Sequence, residues 1–295
     1  MTEVLRVAPQ VANALRDGVP VVALETSIVG QGLPAPHNLR AARGCEAAIK
    51  EEGAVPATVA VLGGQVCVGL DDQELEQVAA GSVKVSARDL GPAIAHGLTG
   101  ATTVAATLRA ASMARIVFMA TGGIGGVHRG HPEDESADLD EIARHRVAVV
   151  CAGAKIILDL RLTLERLETL GVPVLGYGCD EFPAFYSRHS GCPVSARVDG
   201  EAGAADMLRM AWATGAQGVV LAVPPPRELE GADALAHQAA SELTGVAGAD
   251  VTPRLLARIA ELSQGRSVDL NVELVINNAR VAARVARTYY AGRER

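Results

Sequence analysis

The sequence predicts an α/β protein with three layers, α/β/α, in which a largely parallel central sheet lies between helices and carries a small hairpin. Short apolar runs stop abruptly at glycines or polar residues, which is typical of buried parallel strands. Stretches with helical spacing separate these runs, and the 31 glycines are spread singly or in pairs, as tight strand-to-helix connections require. The clearest strands are predicted at Val19–Leu24, Ile116–Ala120, Val147–Cys151 and Gly218–Val223.

Composition narrows the classes of function. Hydrophobic residues make up 49% of the 295 residues, enough for a large core, and we expect a single domain over residues 1–295. A net charge of −7 argues against a nucleic-acid or membrane-surface binder, which needs a basic face. We expect neither a signal peptide nor a membrane span, because no apolar run is long enough. The five scattered cysteines predict reduced thiols in a cytoplasmic protein.

The first third of the chain is predicted to place helices around a hairpin. Gly63 and Gly64 separate two apolar runs, and such a short loop needs residues that tolerate positive φ. Asp71 and Asp72 are suited to capping the next helix. The predicted elements are a peripheral helix over Val4–Leu15, a helix over Asn38–Glu52, hairpin strands over Thr58–Leu62 and Val66–Leu70, a helix over Glu74–Ala80 and an extended piece over Lys84–Asp89.

The remainder is predicted to be mainly helical. An Ala-rich helix starts in Thr99–Val104 and runs to about Met113, and its small first residues suit either an anion site or a simple cap. The aromatic loop Phe182–Tyr186 is expected to pack near or over a ligand cleft. Further helices are predicted over Leu158–Leu170, Ala202–Thr214, Asp233–Leu243, Thr252–Leu262 and Val268–Tyr290, with a short strand in Pro173–Tyr177.

The stretch from Ile116 to Asp159 is predicted to carry the functional site. One strand ends in the glycine loop Thr121–Gly126, and the next ends at Gly153 and delivers Lys155 onto the first turn of a helix. Ligands of open α/β sheets bind beyond the carboxyl ends of the strands, so these groups should converge on one cleft. The loop does not match a dinucleotide fingerprint, because His128 stands where the third glycine is needed, and it suits a single phosphate or sugar better.

Other polar residues allow both a functional and a structural interpretation. Glu25, at the end of an apolar strand, is either a site residue or a cap for the next turn. Lys84 is either a ligand-binding lysine or, as is commoner, a solvated one. Asn277 and Asn278 lie among apolar residues, so their amides either line a cleft or form a satisfied pair in the core.

The acidic run Glu133–Asp138 has the same ambiguity. Asp138 and Glu141 stand three apart, as in a capping box, and acids are favoured in the first turn of a helix. The run also holds enough carboxylates, beside the glycine loop, for one of them to hold a metal.

A series of motifs runs from near residue 21 to residue 286: ALETSIVGQGLPAPHN, GAVPATVAVL, KVSARDL, HGLTGATTVAATLRAA, ATGGIGGVHRG, ESADLDEIA, VAVVCAGAKIILDLRLTLERLETLGVPVLGY, DEFPAFYSR, VTPRLLARIAEL and INNARVAARVA. Together these motifs resemble the pseudouridine-5′-phosphate glycosidase family, also called the indigoidine synthase A-like family, and CAGAK followed by ILD, with TGGIGGVHRG, is highly specific. The resemblance implies an α/β/α lyase that reversibly cleaves the carbon–carbon glycosidic bond of pseudouridine 5′-phosphate to uracil and ribose 5-phosphate. It also implies a homotrimer with one divalent cation per subunit, Mn²⁺ or Mg²⁺.

The resemblance also implies roles for individual residues. Lys155 matches the lysine that forms a Schiff base with the opened sugar, Glu25 matches the general acid, and Asp134 matches the metal-binding aspartate. The segment HPEDESAD is shorter than the family's AEHTFDISAD type, which makes Asp138 the rival metal ligand. The implied substrate-binding and pocket-lining positions are Lys84, Val104, Ser136, Ala137, Asp138, Thr121, His128 and Asn277.

The chemistry of a C-glycoside agrees with a lysine nucleophile. Its leaving group is a carbon atom, so two carboxylates alone are poorly suited to breaking the bond, whereas an amine opens the sugar and forms an iminium at C1′. Two alternatives stay open at the level of sequence. One is another Schiff-base phosphosugar lyase or aldolase, and the other is a catalytically silent sugar-phosphate-binding protein.

Overall fold

The computed structural model describes residues 4–242 and 251–292. Within these ranges eleven strands form one sheet and three more form a small second sheet. The strands of the main sheet are β1 (Leu5–Val7), β2 (Val21–Leu24), β3 (Val55–Leu62), β4 (Gln65–Val68), β5 (Val83–Val85), β6 (Gly100–Thr102), β7 (Phe118–Ala120), β10 (Ala148–Cys151), β12 (Val174–Tyr177), β13 (Ala196–Val198) and β14 (Val219–Ala222). The small sheet contains β8 (Val127–His128), β9 (His131–Glu135) and β11 (Leu158–Asp159).

Helices flank the main sheet, and none in the described ranges has both the length and the apolar character that crossing a bilayer demands. A π-helical turn covers Ile28–Gly32 and a 3₁₀ turn covers Ala87–Asp89. The α-helices are α1 (Pro9–Arg16), α2 (His37–Glu51), α3 (Asp72–Ala80), α4 (Leu90–Ala95), α5 (Val104–Met113), α6 (Ala137–Arg144), α7 (Leu160–Thr169), α8 (Gly200–Ala213), α9 (Ala232–Glu242), α10 (Val251–Leu262) and α11 (Arg266–Ala291).

The strand order confirms the predicted α/β class with a mostly parallel sheet. It reads β1-β4-β3-β2-β7-β10-β14-β12-β13, with β6 joined to β3 and β5 joined to β6. Strand β3 runs antiparallel to β4 and β6, and the other pairs of this sheet in the described chain are parallel. The predicted hairpin is β3–β4, and its turn residues Gly63 and Gly64 have φ of 56° and 78°.

Helix α11 is the main support of the sheet. It packs on α2 and α8 and against β2, β7 and β10, while α5 and α6 pack on each other. The ring of Phe118 meets Trp212 and Tyr289 edge-on, with centroids 6.1 and 5.5 Å apart. Because β2, β7 and β10 are held by one long helix, the residues that follow these strands share a rigid base.

The extended piece predicted over Lys84–Asp89 is wrong in its second half, because Ala87–Asp89 forms a 3₁₀ turn capped by Ser86. Two further predictions in the first half were also wrong in part. Val4–Leu15 is not one helix: Leu5–Val7 forms an edge strand parallel to β4, and the helix begins at Pro9, a favoured residue for a first helical turn. Residues 100–102 form β6 instead of the start of a helix, and Thr103 caps α5. In both places pairing with a neighbouring strand overrides local helical spacing.

The central stretch also differs from its prediction. Lys155 is not on the first turn of a helix, because residues 158–159 form β11 and α7 starts at Leu160. Asp138 and Glu141 do not form a capping box: Ser136 caps α6 through the N–H of Asp138, and both acids bond elsewhere. The helix predicted over Asp233–Leu243 is α9, and its last predicted residue lies outside the described residues.

Candidate active site

Three neighbouring parallel strands bring the predicted catalytic groups together. In the order β2-β7-β10, the chain continues from β2 into Glu25, from β7 into Thr121 and the glycine loop, and from β10 towards Lys155. These strands are parallel, so all three carboxyl ends lie at one edge of the sheet. The expected convergence is therefore present for the glycine loop and Lys155, as the general rule for open α/β sheets requires, whereas His128 and the acidic run, which were expected in the same cleft, lie outside its lining.

A cleft of about 570 Å³ lies at this edge, the volume including its open mouth. Both ionisable groups assigned to the chemistry, Glu25 and Lys155, face it, together with Lys84 and Thr121. The remaining lining residues are Ser27, Ile28, Gln31, Gly32, Gly122, Gly123, Phe185, Leu256 and Asn271.

Glu25 is set up to exchange a proton. The hydroxyls of Ser27 and Thr121 each donate to one of its two carboxylate oxygens. Burial raises the pKa of Glu25 above its ordinary value of 4.5, and the nearby Lys155 ammonium opposes this rise. A carboxyl group with a raised pKa, fixed by two hydroxyls beside an amine, is suited to general acid–base catalysis.

The position of Lys155 is fixed by backbone hydrogen bonds between two loops, the glycine loop after β7 and the loop after β10. After β7, the Thr121 N–H donates to Val150, and the Ile124 N–H donates to Gly153, at 3.0 Å each. The N–H of Lys155 in turn donates to the Ile124 carbonyl at 3.1 Å. The backbone that carries the amine is thereby fixed to the glycine loop.

Gly153 is required in this ladder. Its φ is 82°, and a Cβ at this position would come within 1.8 Å of the Pro183 carbonyl oxygen. That oxygen belongs to the aromatic loop, which packs over the cleft as expected from the sequence through Phe185. Any larger residue at position 153 would displace either the aromatic loop or the loop that carries Lys155, and would thereby move Lys155.

Arg129 holds the other side of the Lys155 loop. Its guanidinium donates to the carbonyl oxygens of Ile156 at 2.9 Å and Leu158 at 3.0 Å. The loop that contains Lys155 is therefore bonded both before and after the lysine.

Asp138 lies behind the glycine loop, not in the cleft lining. One of its oxygens accepts from the Ala105 N–H at 2.9 Å and the other from the Gly125 N–H at 2.8 Å. The Thr103 hydroxyl accepts from the Ala106 N–H, and within the described residues no partner is found for the N–H of Val104. Asp138 thus joins the first turn of α5 to the glycine loop.

His128 and Asp134 form a separate pair on the small sheet. His128 Nδ1 lies 3.2 Å from the Asp134 carboxylate, whose side chain is 49% exposed. His128 Nε2 is buried and has no partner within the described part of the chain. Asp134 and its neighbours are thus the exposed face of a hairpin, not the floor of the cleft.

The side chains near Asp134 show which kind of metal ion the predicted site could hold. Within residues 4–242 and 251–292 no group of three or more His, Cys, Asp or Glu side chains is arranged to hold a metal. Asp134 offers one half-exposed carboxylate, which fits a hydrated hard cation such as Mn²⁺ or Mg²⁺ and does not fit a closed zinc-type site. Asp138 is the poorer ligand, since two backbone N–H groups already bond its oxygens.

The predicted site residues therefore fall into two sets. The first set lines the cleft: Glu25, Lys84, Thr121 and Lys155. The second set is outside the cleft lining: Val104, His128, Asp134, Ser136, Ala137, Asp138 and Asn277.

The structure places three amide residues at the site for which the sequence analysis gave no role or assigned the role to a neighbouring residue. The Asn278 Nδ2 donates to the carbonyls of Thr121 and Gly122, so it is Asn278, next to the predicted Asn277, that holds the glycine loop. Asn271 lines the cleft and lies seven residues earlier on the same face of α11, a spacing that the sequence displays. Gln31, between two glycines after β2, also lines it.

The sequence is similar to that of named proteins over nearly its whole length. The profile of the indigoidine synthase A-like protein family matches residues 10–288. A pseudouridine-5′-phosphate glycosidase from Paracoccus denitrificans is 50% identical, with 97% of this chain and 98% of the relative covered. One of the same name from Solibacter usitatus is 51% identical, with 96% and 98% covered.

Two solved structures share the fold. The prealnumycin C-glycosynthase in complex with ribulose 5-phosphate superposes with a TM-score of 0.91 at 38% identity, covering 100% of both chains. An indigoidine synthase A-like protein from Thermotoga maritima superposes with a TM-score of 0.86 at 32% identity, covering 91% of this chain and 92% of the other.

Proposed function

The chain belongs to the indigoidine synthase A-like protein family, and we propose that it cleaves the C–C glycosidic bond of pseudouridine 5′-phosphate reversibly, to uracil and ribose 5-phosphate. The observation that carries this is the pairing of Glu25 and Lys155 in one cleft, at the ends of neighbouring strands. Relatives named pseudouridine-5′-phosphate glycosidase support the substrate. The ribulose 5-phosphate bound by the prealnumycin C-glycosynthase supports a sugar phosphate in this fold.

In the first step the sugar ring opens on Lys155. The amine attacks C1′, the C1′–O4′ bond breaks, and O4′ takes a proton from Glu25. The nitrogen then returns a proton to Glu25, and the open-chain sugar is attached to Lys155 through C1′, which still carries the base. The raised pKa of Glu25 favours a proton at this carboxyl, as the step needs.

In the second step the C–C bond breaks. Carbon C5 of the base takes up a proton, the nitrogen lone pair forms a C=N bond to C1′, and the electrons of the C1′–C5 bond return to the base. Uracil leaves, and water hydrolyses the iminium to free Lys155 and ribose 5-phosphate. One water is consumed and no redox partner is needed. Glu25, bonded by Ser27 and Thr121, is the group placed to move these protons.

The phosphate is proposed to lie where positive charge and one backbone N–H group, that of Val104, are available. Lys84 faces the cleft, and the first turn of α5 presents the amide of Val104 at its positive end. Ser136 and His128, on the far side of the glycine loop, would complete the surroundings of the sugar phosphate when the substrate is bound.

We also propose a divalent cation, Mn²⁺ or Mg²⁺, held by Asp134 through water. A hydrated cation at this place would add positive charge and orient water near the substrate. The half-exposed carboxylate of Asp134, with its hard oxygen donors, supports this assignment.

A homotrimer and a cytoplasmic location are further proposals. Met207 and Met210 are exposed on α8, and Met210 is 59% exposed, so this helix offers an apolar surface for a second subunit. All five cysteines are free thiols, which supports a reducing compartment. Native mass spectrometry would give the number of subunits directly.

The central test traps the covalent intermediate. Borohydride reduction in the presence of ribose 5-phosphate should add the mass of the reduced sugar to the peptide that contains Lys155. Lys84→Ala should retain this label and Lys155→Ala should lose it, so the two cleft lysines serve as controls for each other. Label on Lys84, or on no lysine, would contradict the proposed mechanism.

Product analysis separates the reaction from its alternatives. The protein should release uracil from pseudouridine 5′-phosphate with one ribose 5-phosphate per uracil. A label on Lys155 without uracil release would favour another Schiff-base phosphosugar lyase or aldolase. Binding of ribose 5-phosphate with neither label nor release would favour a silent binding protein.

A further inference from the structure

We propose that Arg109, oriented by the buried carboxylate of Glu141, is a positioning residue that holds Lys84 in place for the phosphate of the substrate. The inference rests on the proposed function, which assigns Lys84 to the phosphate, and it adds two residues that lie outside the cleft lining. It begins from a guanidinium on α5 that bonds both α6 and the turn that follows Lys84.

Lys84 lies on a strand with little support of its own. Strand β5 has three residues, and within the described chain it pairs with β6 alone. Lys84 is exposed and lines the cleft from this edge of the sheet. The position of its amine therefore depends on the contacts that anchor the chain on either side of it.

Helix α5 anchors the chain that follows Lys84. The N–H of Thr103, which caps α5, donates to the Val85 carbonyl oxygen at 3.0 Å. Farther along the helix, Arg109 Nη1 donates to the Ala87 carbonyl oxygen at 3.1 Å. Ala87 is buried and begins the 3₁₀ turn. The segment is thus held at two points after Lys84, once by backbone and once by the Arg109 side chain.

Glu141 determines where the Arg109 guanidinium points. Arg109 Nε donates to one Glu141 oxygen at 3.1 Å and Nη2 donates to the other, so that Nη1 is directed at Ala87. The Glu141 side chain is only 4% exposed. Burial alone would raise its pKa, but hydrogen bonds from Arg109 and His145 hold the pKa of this carboxyl below its ordinary value of 4.5. Glu141 is therefore a charged acceptor at neutral pH, with two oxygens that match the planar fork of an arginine.

Helix α6 connects both halves of the proposed phosphate site. Asp138, one turn before Glu141 on α6, accepts a hydrogen bond from a backbone N–H in the first turn of α5. The same helix holds the Lys84 segment through Glu141 and Arg109. The Lys84 amine and the Val104 N–H, which are proposed to meet the phosphate, are thus positioned from one helix.

Arg109 acts on the phosphate through Lys84 and not through its own charge. Its guanidinium is paired with Glu141 and is not part of the cleft lining. Misplacing a binding group by about 1 Å can cost up to about 10²-fold. Loss of the Ala87 contact should therefore weaken binding of the sugar phosphate only as far as Lys84 provides that binding.

The test is a double-mutant cycle between Arg109 and Lys84, read as the Kd of ribose 5-phosphate by titration calorimetry. Arg109→Lys keeps a cation beside Glu141 but loses the planar fork that reaches Ala87 at the same time. We expect it to raise Kd roughly 10- to 100-fold, and Lys84→Ala to raise Kd at least as much. The double variant should bind within about twofold of Lys84→Ala, because the positioned group is already gone. If the two single effects multiply instead, Arg109 acts independently of Lys84 and the proposal is wrong.

Two further variants separate positioning from a general loss of structure. Arg109→Met combined with Glu141→Leu removes the pair together, so no buried carboxylate loses its arginine, and it should raise Kd as much as Arg109→Lys does. Binding at the wild-type Kd would show that the Ala87 contact does not position Lys84. Arg43→Met breaks a similar two-bond pair with Asp72 at the surface, and it should leave Kd unchanged.

The outcomes also separate this inference from the proposed function. If the wild type binds ribose 5-phosphate but releases no uracil from pseudouridine 5′-phosphate, the proposed reaction fails and the cycle still decides the role of Arg109. If uracil is released and the cycle is multiplicative, the reaction stands and the positioning role is wrong. If the wild type does not bind ribose 5-phosphate, both fail.

Discussion

The floor of the cleft and the β8–β9 hairpin use carboxylates in opposite ways. Glu25 in the cleft and Asp138 behind the glycine loop are both enclosed, and each of their four oxygens accepts a hydrogen bond. On the hairpin every residue from His131 to Glu135 is exposed, and the acids pair there with nearby side chains at the surface. The two regions are joined by a few residues of one acidic run.

The difference shows that the burial of an acid and the donors around it together decide its task. A carboxylate whose oxygens are bonded by backbone N–H groups fixes the position of those groups, as Asp138 does for Gly125. A carboxylate in a buried pocket, such as Glu25, has a pKa raised by burial although its hydroxyl donors oppose the rise, and it can exchange a proton. An exposed acid such as Asp134 keeps oxygens available for a hydrated cation.

The comparison predicts the largest effect for Glu25. Glu25→Gln keeps the shape and both hydroxyl contacts but cannot donate a proton as an acid, so turnover should fall about 10²- to 10⁴-fold. Trapping of free ribose 5-phosphate on Lys155 should persist, because the aldehyde needs no ring opening by Glu25. Single-turnover release of uracil is the measurement, and near wild-type turnover would show that another acid protonates O4′.

A smaller effect is expected for Asp138, and it should appear in stability. Asp138→Ala leaves the buried N–H groups of Ala105 and Gly125 without an acceptor, so the free energy of unfolding should fall by about 2–5 kcal/mol. Asp138→Asn retains one acceptor oxygen, so its free energy of unfolding should fall by less than that of Asp138→Ala. Denaturant unfolding of both variants, with Asp134→Ala as the exposed control, measures the difference. Equal stability of all three would contradict the structural role of Asp138.

Part of this site was predictable because the strands β7 and β10 are parallel neighbours in the sheet. The residues that follow them could be assigned to one cleft from apolar runs and glycines, whereas Glu25 after β2 was left open between a site residue and a cap. The setting of Lys155 was not predictable, since residues 158–159 pair with β8 across a loop, and no local pattern announces that pairing. Gln31 was missed for a similar reason: its orientation depends on a single carbonyl far along the chain, at Ser82.

The hairpin supplies the next prediction, which concerns metal dependence. Asp134→Ala should raise the concentration of Mn²⁺ needed for half-maximal activity by about 10- to 100-fold while changing the free energy of unfolding by less than about 0.5 kcal/mol. Asp134→Asn is the matched variant that keeps size and removes charge. The measurement is enzyme activity as a function of Mn²⁺ concentration. If Asp134→Ala responds to Mn²⁺ as the wild type does, and a folded Asp138 variant no longer responds, the metal ligand is Asp138 and not Asp134.

The smallest expected effect is a pH dependence of stability that belongs to Glu25. Its pKa is raised in the folded protein above the ordinary value of 4.5, chiefly by burial. The folded state therefore binds this proton more tightly than the unfolded state, and the resulting stability is present in full below about pH 4.5 and is lost as pH rises through the raised pKa. Glu25→Gln cannot lose the proton, so its Tm relative to wild type should increase from acid to neutral pH. Gln77→Met, a change at an exposed and uncharged residue outside the cleft, should show no such trend. If Glu25→Gln runs parallel to wild type from pH 4 to pH 8, the carboxyl is not held in its protonated form by the fold, and the pairing with Lys155 outweighs burial.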